Sequence, residues 1–204
     1  MALFALTLGT AYLLGSIPSA LWICRIFFHV DITKVGSGNP GMTNVWRSLG
    51  WKPALPVVVA DAAKGFLSAW LGLLWTHSIL WALLAGIIAV VGHLFPLFAR
   101  FKGGKGVLTA FGAFLFLSPI ASLSSLTVWI LTLLPFRIVS VSSLSAAVTL
   151  PLFVFFESHW HGNSGINPVF WAALVVCVFV LIRHRANLSR LLNGTEPRFQ
   201  GKAL

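Results

Sequence analysis

Apolar residues gather into seven runs, at about 2–24, 53–75, 78–99, 107–117, 120–134, 138–156 and 168–182, separated by short stretches rich in Gly, Ser, Asn, Lys and Arg. A helix of about 20 apolar residues crosses the roughly 30 Å of hydrocarbon in a bilayer, so these runs predict transmembrane helices. The run at 107–117 is shorter, which predicts a slanted or partly sheltered helix, with Pro119 at a tight turn before the next run. The expected fold is all-α: a polytopic integral membrane protein of seven transmembrane helices, some of them short, in a single domain over residues 1–204. The stretch 107–156 crosses either once or three times; five spans plus a re-entrant piece is the alternative to seven. No internal repeat is apparent, which disfavours a transporter built from inverted halves.

Composition agrees with this pattern. With 58% hydrophobic residues, 9% charged residues and a mean hydropathy of +0.92, the chain is excluded from the soluble class. Its charge then orients it. Twelve of the fourteen Lys and Arg residues fall at 25–52, 100–105 and 183–202, whereas the linker at 75–78 and the segment 157–167 carry none. The positive-inside rule therefore puts the N-terminus outside and the C-terminus in the cytoplasm, with three crossings also placing Arg137 inside. A net charge of +10 would suit nucleic acid, but the cations lie in loops between apolar runs, so anionic headgroups and phosphates are the expected partners and no nucleic acid is. Cys24 and Cys177 each sit within an apolar run, where a thiol is a small hydrophobe, and no disulfide is expected. The first run lacks a preceding Lys or Arg and reads as a retained helix rather than a signal peptide.

Three polar islands carry the candidate chemistry. The first runs from Gly36 through Ser37, Gly38, Asn39, Pro40, Gly41, Met42, Thr43 and Asn44 to Arg47. Its three glycines allow positive φ and a close approach to a ligand, so backbone N–H groups cup an anion while Ser37, Thr43 and Asn44 add donors and Arg47 adds charge. A plain Gly-Pro turn explains the same residues. The second holds His93, Pro96 and Lys102-Gly103-Gly104-Lys105-Gly106, with two lysines astride paired glycines at the mouth of a helix, a setting for phosphate. Snorkelling to headgroups explains Lys102 equally well, and Lys105 less well. His93 reads as a hydrogen-bonded structural histidine. The third spans Arg183 to Glu196; if the last helix continues through it, His184 and Asn187 share a face and can orient a hydroxyl.

Asp61 and Lys64, one turn apart inside an apolar run, are costly alone in hydrocarbon and are expected to pair with each other or with neighbouring polar groups, in a structural role. Ser140 and Ser142 offer hydroxyls near the cytoplasmic side or cap a helix. Of the four acidic residues, only Asp31 and Glu196 lie free on the proposed active side, too few for a metal-binding carboxylate cluster, so no metal and no cofactor is expected. The chain also lacks the H-x4-D dyad of a common lipid acyltransferase class.

Taken together, the run G-S-G-N-P-G-x-T-N ending in Arg47, the D-x-x-K-G at Asp61 to Gly65, the H-x-F-P and F-K-G-G-K-G-V block from His93 to Val107, and the H-R-x-N and N-G-x-E tail from His184 to Glu196 resemble the bacterial acyl-phosphate glycerol-3-phosphate acyltransferase family, PlsY. The resemblance covers nearly the whole chain; Met42 stands where a smaller residue is usual. It implies a multi-pass enzyme of the bacterial inner membrane, with its active site facing the cytoplasm. It also implies transfer of a fatty acyl group from acyl phosphate to the 1-hydroxyl of sn-glycerol 3-phosphate, giving lysophosphatidic acid and phosphate without acyl-CoA. An upstream enzyme that forms the acyl phosphate is the implied functional partner. By motif match, Ser37, Arg47 and Lys105 bind phosphate, with Ser142 a weaker candidate, while Thr43, Asn44, His184 and Asn187 position glycerol hydroxyls. Gly38, Asn39, Gly41, Gly103 and Gly104 belong to the cradle. The base is either His184 or a phosphate oxygen of the donor. An exchanger or channel for phosphorylated metabolites, or a non-catalytic scaffold, would also place cations and glycines in membrane loops.

Overall fold

The computed structural model describes residues 1–198; Lys202, counted among the cations above, lies outside the described residues. Within them the chain forms ten α-helices and two single 3-10 turns, with no strand. Residues 1–113 make one compact unit and residues 114–198 belong to a second.

In the first unit the opening apolar run is broken in two. Helix α1 (Ala2–Gly15) and helix α2 (Ser19–Phe28) meet at a 44° bend. Pro18 is the cause: it lacks an N–H and biases Ile17 away from helical ψ, so the ladder stops at Ser16-Ile17-Pro18. Helices α3 (Met42–Leu49), α4 (Trp51–Thr76), α5 (Ile79–Leu94) and α6 (Val107–Leu117) follow. Helices α1, α4 and α5 pack on one another. Small residues let them approach: a Cβ on Gly15 would stand 2.2 Å from the Ala89 carbonyl oxygen, and one on Gly92 2.6 Å from that of Tyr12. The same device joins α4 to α6, where Gly65 faces the Thr109 carbonyl and Gly112 that of Ala62. Close backbone packing of this kind replaces the hydrophobic drive that lipid cannot supply.

The second unit holds α7 (Pro119–Phe136), α8 (Val139–Trp160), α9 (Pro168–Arg183) and α10 (Arg185–Leu192). Helices α7 and α8 form a hairpin, and α8 packs on α9. The Glu157 carboxylate accepts from the Ser118 hydroxyl and, at 2.8 Å, from the Ala121 amide, which satisfies one orphan backbone donor at the start of α7. Asn167 caps α9 by accepting from the Val169 and Phe170 amides at 2.8 and 3.1 Å, and Pro168 occupies the first helical position.

Four described helices are long and apolar enough to cross a membrane, and up to six spans result if each bent pair counts as one. The short run expected at 107–117 is a helix over those residues, and at eleven residues it rises only about 16 Å. Large apolar side chains such as Phe27, Leu131 and Phe156 are more than 60% exposed, as suits a lipid-facing surface. Cys24 and Cys177 are both buried free thiols.

Candidate functional site

The first polar island is a loop fastened from within. Asp31 accepts from the Thr33 amide at 3.1 Å and the Thr33 hydroxyl at 2.6 Å, and pairs with the Arg25 guanidinium at 2.8 Å. The Thr33 hydroxyl, then Arg25 and the Thr33 amide, hold the Asp31 carboxyl down to about 2. Asn44, on α3 and 3% exposed, closes the loop: its Nδ2 donates to the carbonyls of Ile32 and Val35, both at 3.0 Å, and its Oδ1 accepts from the Ser37 amide at 2.9 Å. Both amide hydrogens are thus engaged by the backbone rather than offered to a ligand. Gly36 and Gly38 do take positive φ, at 58° and 69°. Gly41 does not: at φ −149° it is extended, a backbone conformation any residue adopts, and it serves as the N-cap of α3. Ser37 stands exposed, with its Oγ 3.5 Å from the Asn39 amide, and Thr43 and Arg47 lie one turn apart on α3, both partly buried.

Beneath this loop lies a buried polar knot. Lys64 Nζ pairs with Asp61 Oδ1 at 2.8 Å and donates to the Ile17 carbonyl at 3.1 Å, which the break at Pro18 has left exposed to it. His93 Nδ1 stands 3.6 Å from the same Asp61 oxygen. All three side chains are no more than 8% exposed, so the expected structural pairing of Asp61 with Lys64 is what the fold contains. The second island wraps over the knot. Gly104 donates to the His93 carbonyl at 3.2 Å, and Ile17, Pro40, Lys64, His93, Lys102 and Gly104 line one small pocket. Lys105, partly buried, then precedes the N-terminus of α6, while Lys102 is exposed.

In the second unit the third island is built around Glu196. Its Oε1 accepts from Ser140 Oγ at 2.7 Å and Asn187 Nδ2 at 2.6 Å, and its Oε2 from Arg190 Nε at 2.7 Å. Burial pushes this carboxyl up, but the hydrogen bonds from Ser140, Asn187 and Arg190 and the Arg190 charge together bring it below the ordinary carboxylate value. The helix does not run straight through the island as the spacing allowed. It breaks at His184, with α9 and α10 inclined at 58°. His184 and Asn187 are nonetheless both buried. His184 Nδ1 lies 2.8 Å from the Val180 carbonyl; since a carbonyl only accepts, Nδ1 donates and the neutral ring carries its lone pair on Nε2. Ser142 is fully buried, with its hydroxyl donating to the Ile138 carbonyl at 3.3 Å, the helix-internal alternative to a ligand role.

One expectation is therefore corrected: neither Asp31 nor Glu196 is a free carboxylate. In a chain with fourteen cations and four acids, each acid finds donors. Glu196 as the hub of the third island was not singled out in the sequence; its place in N-G-x-E after a basic helix was the available signal. The structure gathers Asp61, Lys64, His93, Gly103 and Gly104 at one pocket, and Ser140, Asn187, Arg190 and Glu196 at another cluster.

Residues 5–194 match the family model described as glycerol-3-phosphate acyltransferase. A glycerol-3-phosphate acyltransferase of Geobacillus kaustophilus is 45% identical over 195 residues, 95% of each chain. The fold is similar to the crystal structure of PlsY, an integral membrane glycerol 3-phosphate acyltransferase, in its glycerol 3-phosphate form, with a TM-score of 0.88, 38% identity, and 97% of this chain and 96% of that one covered. The lysophosphatidic acid form of PlsY gives a TM-score of 0.85 at 37% identity over the same shares.

Proposed function

The chain belongs to the glycerol-3-phosphate acyltransferase family of multi-pass membrane enzymes, and on that premise we propose that it takes its acyl group from acyl phosphate and releases 1-acyl-glycerol 3-phosphate, lysophosphatidic acid, and inorganic phosphate. Membership of the family sets aside the exchanger, the channel and the scaffold. The reading extends to seven membrane segments, with α6 as the short one, an outer N-terminus, a cytoplasmic C-terminus, the bacterial inner membrane as the site of action, and a single functional domain. It also includes a cytoplasmic enzyme that supplies the acyl phosphate.

The observation that carries this reading is the loop from Lys102 to Gly106, which folds over His93 and delivers Lys105 to the N-terminus of α6. A cation beside the first amides of a helix, which have no partner within the helix, favours a phosphate dianion through both charge and hydrogen bonding. In the proposed roles Ser37, Arg47 and Lys105 hold phosphate, and Gly38, Asn39, Gly41, Gly103 and Gly104 shape the backbone around it. Thr43 orients a hydroxyl. Asn44 contributes by fixing the loop that carries Ser37, and Ser142 by its place near Ser140 on α8. Asn187, held by Glu196, directs its amide toward a substrate hydroxyl.

The reaction needs no covalent intermediate, because an acyl phosphate is already activated. The 1-hydroxyl oxygen of glycerol 3-phosphate attacks the carbonyl carbon, a C–O bond forms, the C–O bond to phosphate breaks, and phosphate leaves with the bonding pair. The hydroxyl proton passes to His184 Nε2 or to an oxygen of the departing phosphate. Cations and amides around the site stabilise the negative charge on the carbonyl oxygen as it develops. The test is direct. Purified protein given palmitoyl phosphate and glycerol 3-phosphate forms lysophosphatidic acid without CoA, at equal rates in EDTA and in magnesium; a requirement for acyl-CoA overturns the assignment of the donor.

A further inference from the structure

We propose that His93 is a positioning residue for the phosphate-binding step: its imidazole is the template against which Gly104 is moulded, beside a Gly103 that abuts the His93 carbonyl, and it thereby sets where Lys105 presents its ammonium group. This rests on the phosphate role given to Lys105 above. Three observations in the first unit lead to it.

The paired glycines are shaped by His93 as much as by any ligand. A Cβ on Gly103 would stand 2.1 Å from the His93 carbonyl oxygen, and one on Gly104 would stand 2.3 Å from His93 Nε2 and 3.1 Å from its Cε1. Gly104 tolerates no methyl group while the ring stays in place, and Gly103 tolerates none against the His93 backbone. The second observation is that the ring is fixed from behind. Its Nδ1 faces Asp61 Oδ1 at 3.6 Å, Asp61 is held by Lys64 at 2.8 Å, and Lys64 is tied to the Ile17 carbonyl at 3.1 Å. A buried series of polar contacts, with the Asp61 carboxylate as the one nearest the ring, thus runs from the break between α1 and α2 to the imidazole. The third is that the loop has only one residue between Gly104 and the N-cap position of α6, and that residue is Lys105. A displaced Gly104 moves the Lys105 backbone with it.

The experiment is a double-mutant cycle on the full-length enzyme in detergent, comparing wild type, His93→Ala, Gly104→Ala and the double variant. Each is assayed for the KM of glycerol 3-phosphate, the KM of the acyl donor, and kcat. The methyl group of Gly104→Ala forces the loop off the ring and raises the KM of one phosphorylated substrate about tenfold or more, with kcat within about threefold. In the double variant the methyl group occupies the space left by the ring, and that KM falls back to within about threefold of the value for His93→Ala alone. The substrate whose KM responds is the one that Lys105 holds. If the two substitutions multiply instead, or if kcat falls while both KM values stay put, His93 does not position this loop. Should His93→Ala fail to fold, His93→Asn, which keeps a nitrogen toward Asp61 and removes the edge against Gly104, replaces it in the cycle. Failure of the acyl-phosphate reading shows in the wild-type enzyme, as no turnover with that donor; failure of this inference shows only in the variants.

Discussion

Asn187 Nδ2 donates to Glu196 Oε1 at 2.6 Å, across a chain reversal that follows α10, so the amide proposed to meet the substrate is aimed by a carboxylate nine residues away. The same carboxylate is 2% exposed and also binds Ser140 on α8 and Arg190. Glu196→Gln puts an amide N–H against one of these donors and leaves it unsatisfied in a buried place. The expected cost is about 1–3 kcal/mol of stability. A fall in kcat of about tenfold, from the misdirected Asn187, accompanies it. Thermal unfolding in detergent and steady-state kinetics read the two effects; unchanged kcat in a folded Glu196→Gln enzyme means that Asn187 does not need this partner.

Acid sensitivity follows from the two lowered carboxyls. Both Asp31, at about 2, and Glu196 titrate below their unfolded values of roughly 4, so the stability they contribute is fully present above that range and is lost as pH falls toward their folded values. The unfolding temperature is therefore expected to lose these contributions between about pH 5 and pH 2. Asp31→Asn and Glu196→Gln each remove part of that slope. A slope identical to wild type in both variants contradicts the contacts of Asp31 with Thr33 and Arg25, and of Glu196 with Ser140, Asn187 and Arg190, as its source.

Removing one member of the buried pair costs more than removing both. Asp61→Ala leaves the Lys64 ammonium, 5% exposed, beside the Ile17 carbonyl without its counter-ion. The expected loss is about 3–5 kcal/mol, and Asp61→Ala combined with Lys64→Met is expected to be less damaging than the single change. Differential scanning fluorimetry on the purified variants checks the order.

Lys105→Ala and Arg47→Ala test the proposed phosphate contacts. Each is expected to lower kcat/KM by about 2 kcal/mol or more, where the contact is charge-assisted and desolvated. The Lys102→Ala variant, with its exposed side chain, serves as the comparison and is expected to change kcat/KM less. Wild-type kinetics in Lys105→Ala or Arg47→Ala removes that residue from the phosphate site.

The chain's pattern of apolar and polar residues was enough to establish an all-helical membrane protein, because the cost of burying an unpaired backbone in lipid leaves few alternatives and about 20 apolar residues per span are visible to the eye. The pairing of Asp61 with Lys64 was legible for the same reason, since two opposite charges one turn apart in an apolar helix have little choice. Motif order carried the family. Other features depended on groups distant in the chain. Whether Asn44 donates to a ligand or to the carbonyls of Ile32 and Val35 depends on how the preceding loop folds back over α3. That Glu196 is a buried hub rather than a free acid depends on a tail returning to Ser140, 56 residues earlier. The bends at Pro18 and His184 set which carbonyls and ring nitrogens face inward. Sequence determined which segments leave water, because that is a sum over local transfer energies; tertiary structure decided which polar atoms meet, because hydrogen bonds depend on distances of a few tenths of an ångström that no local pattern encodes.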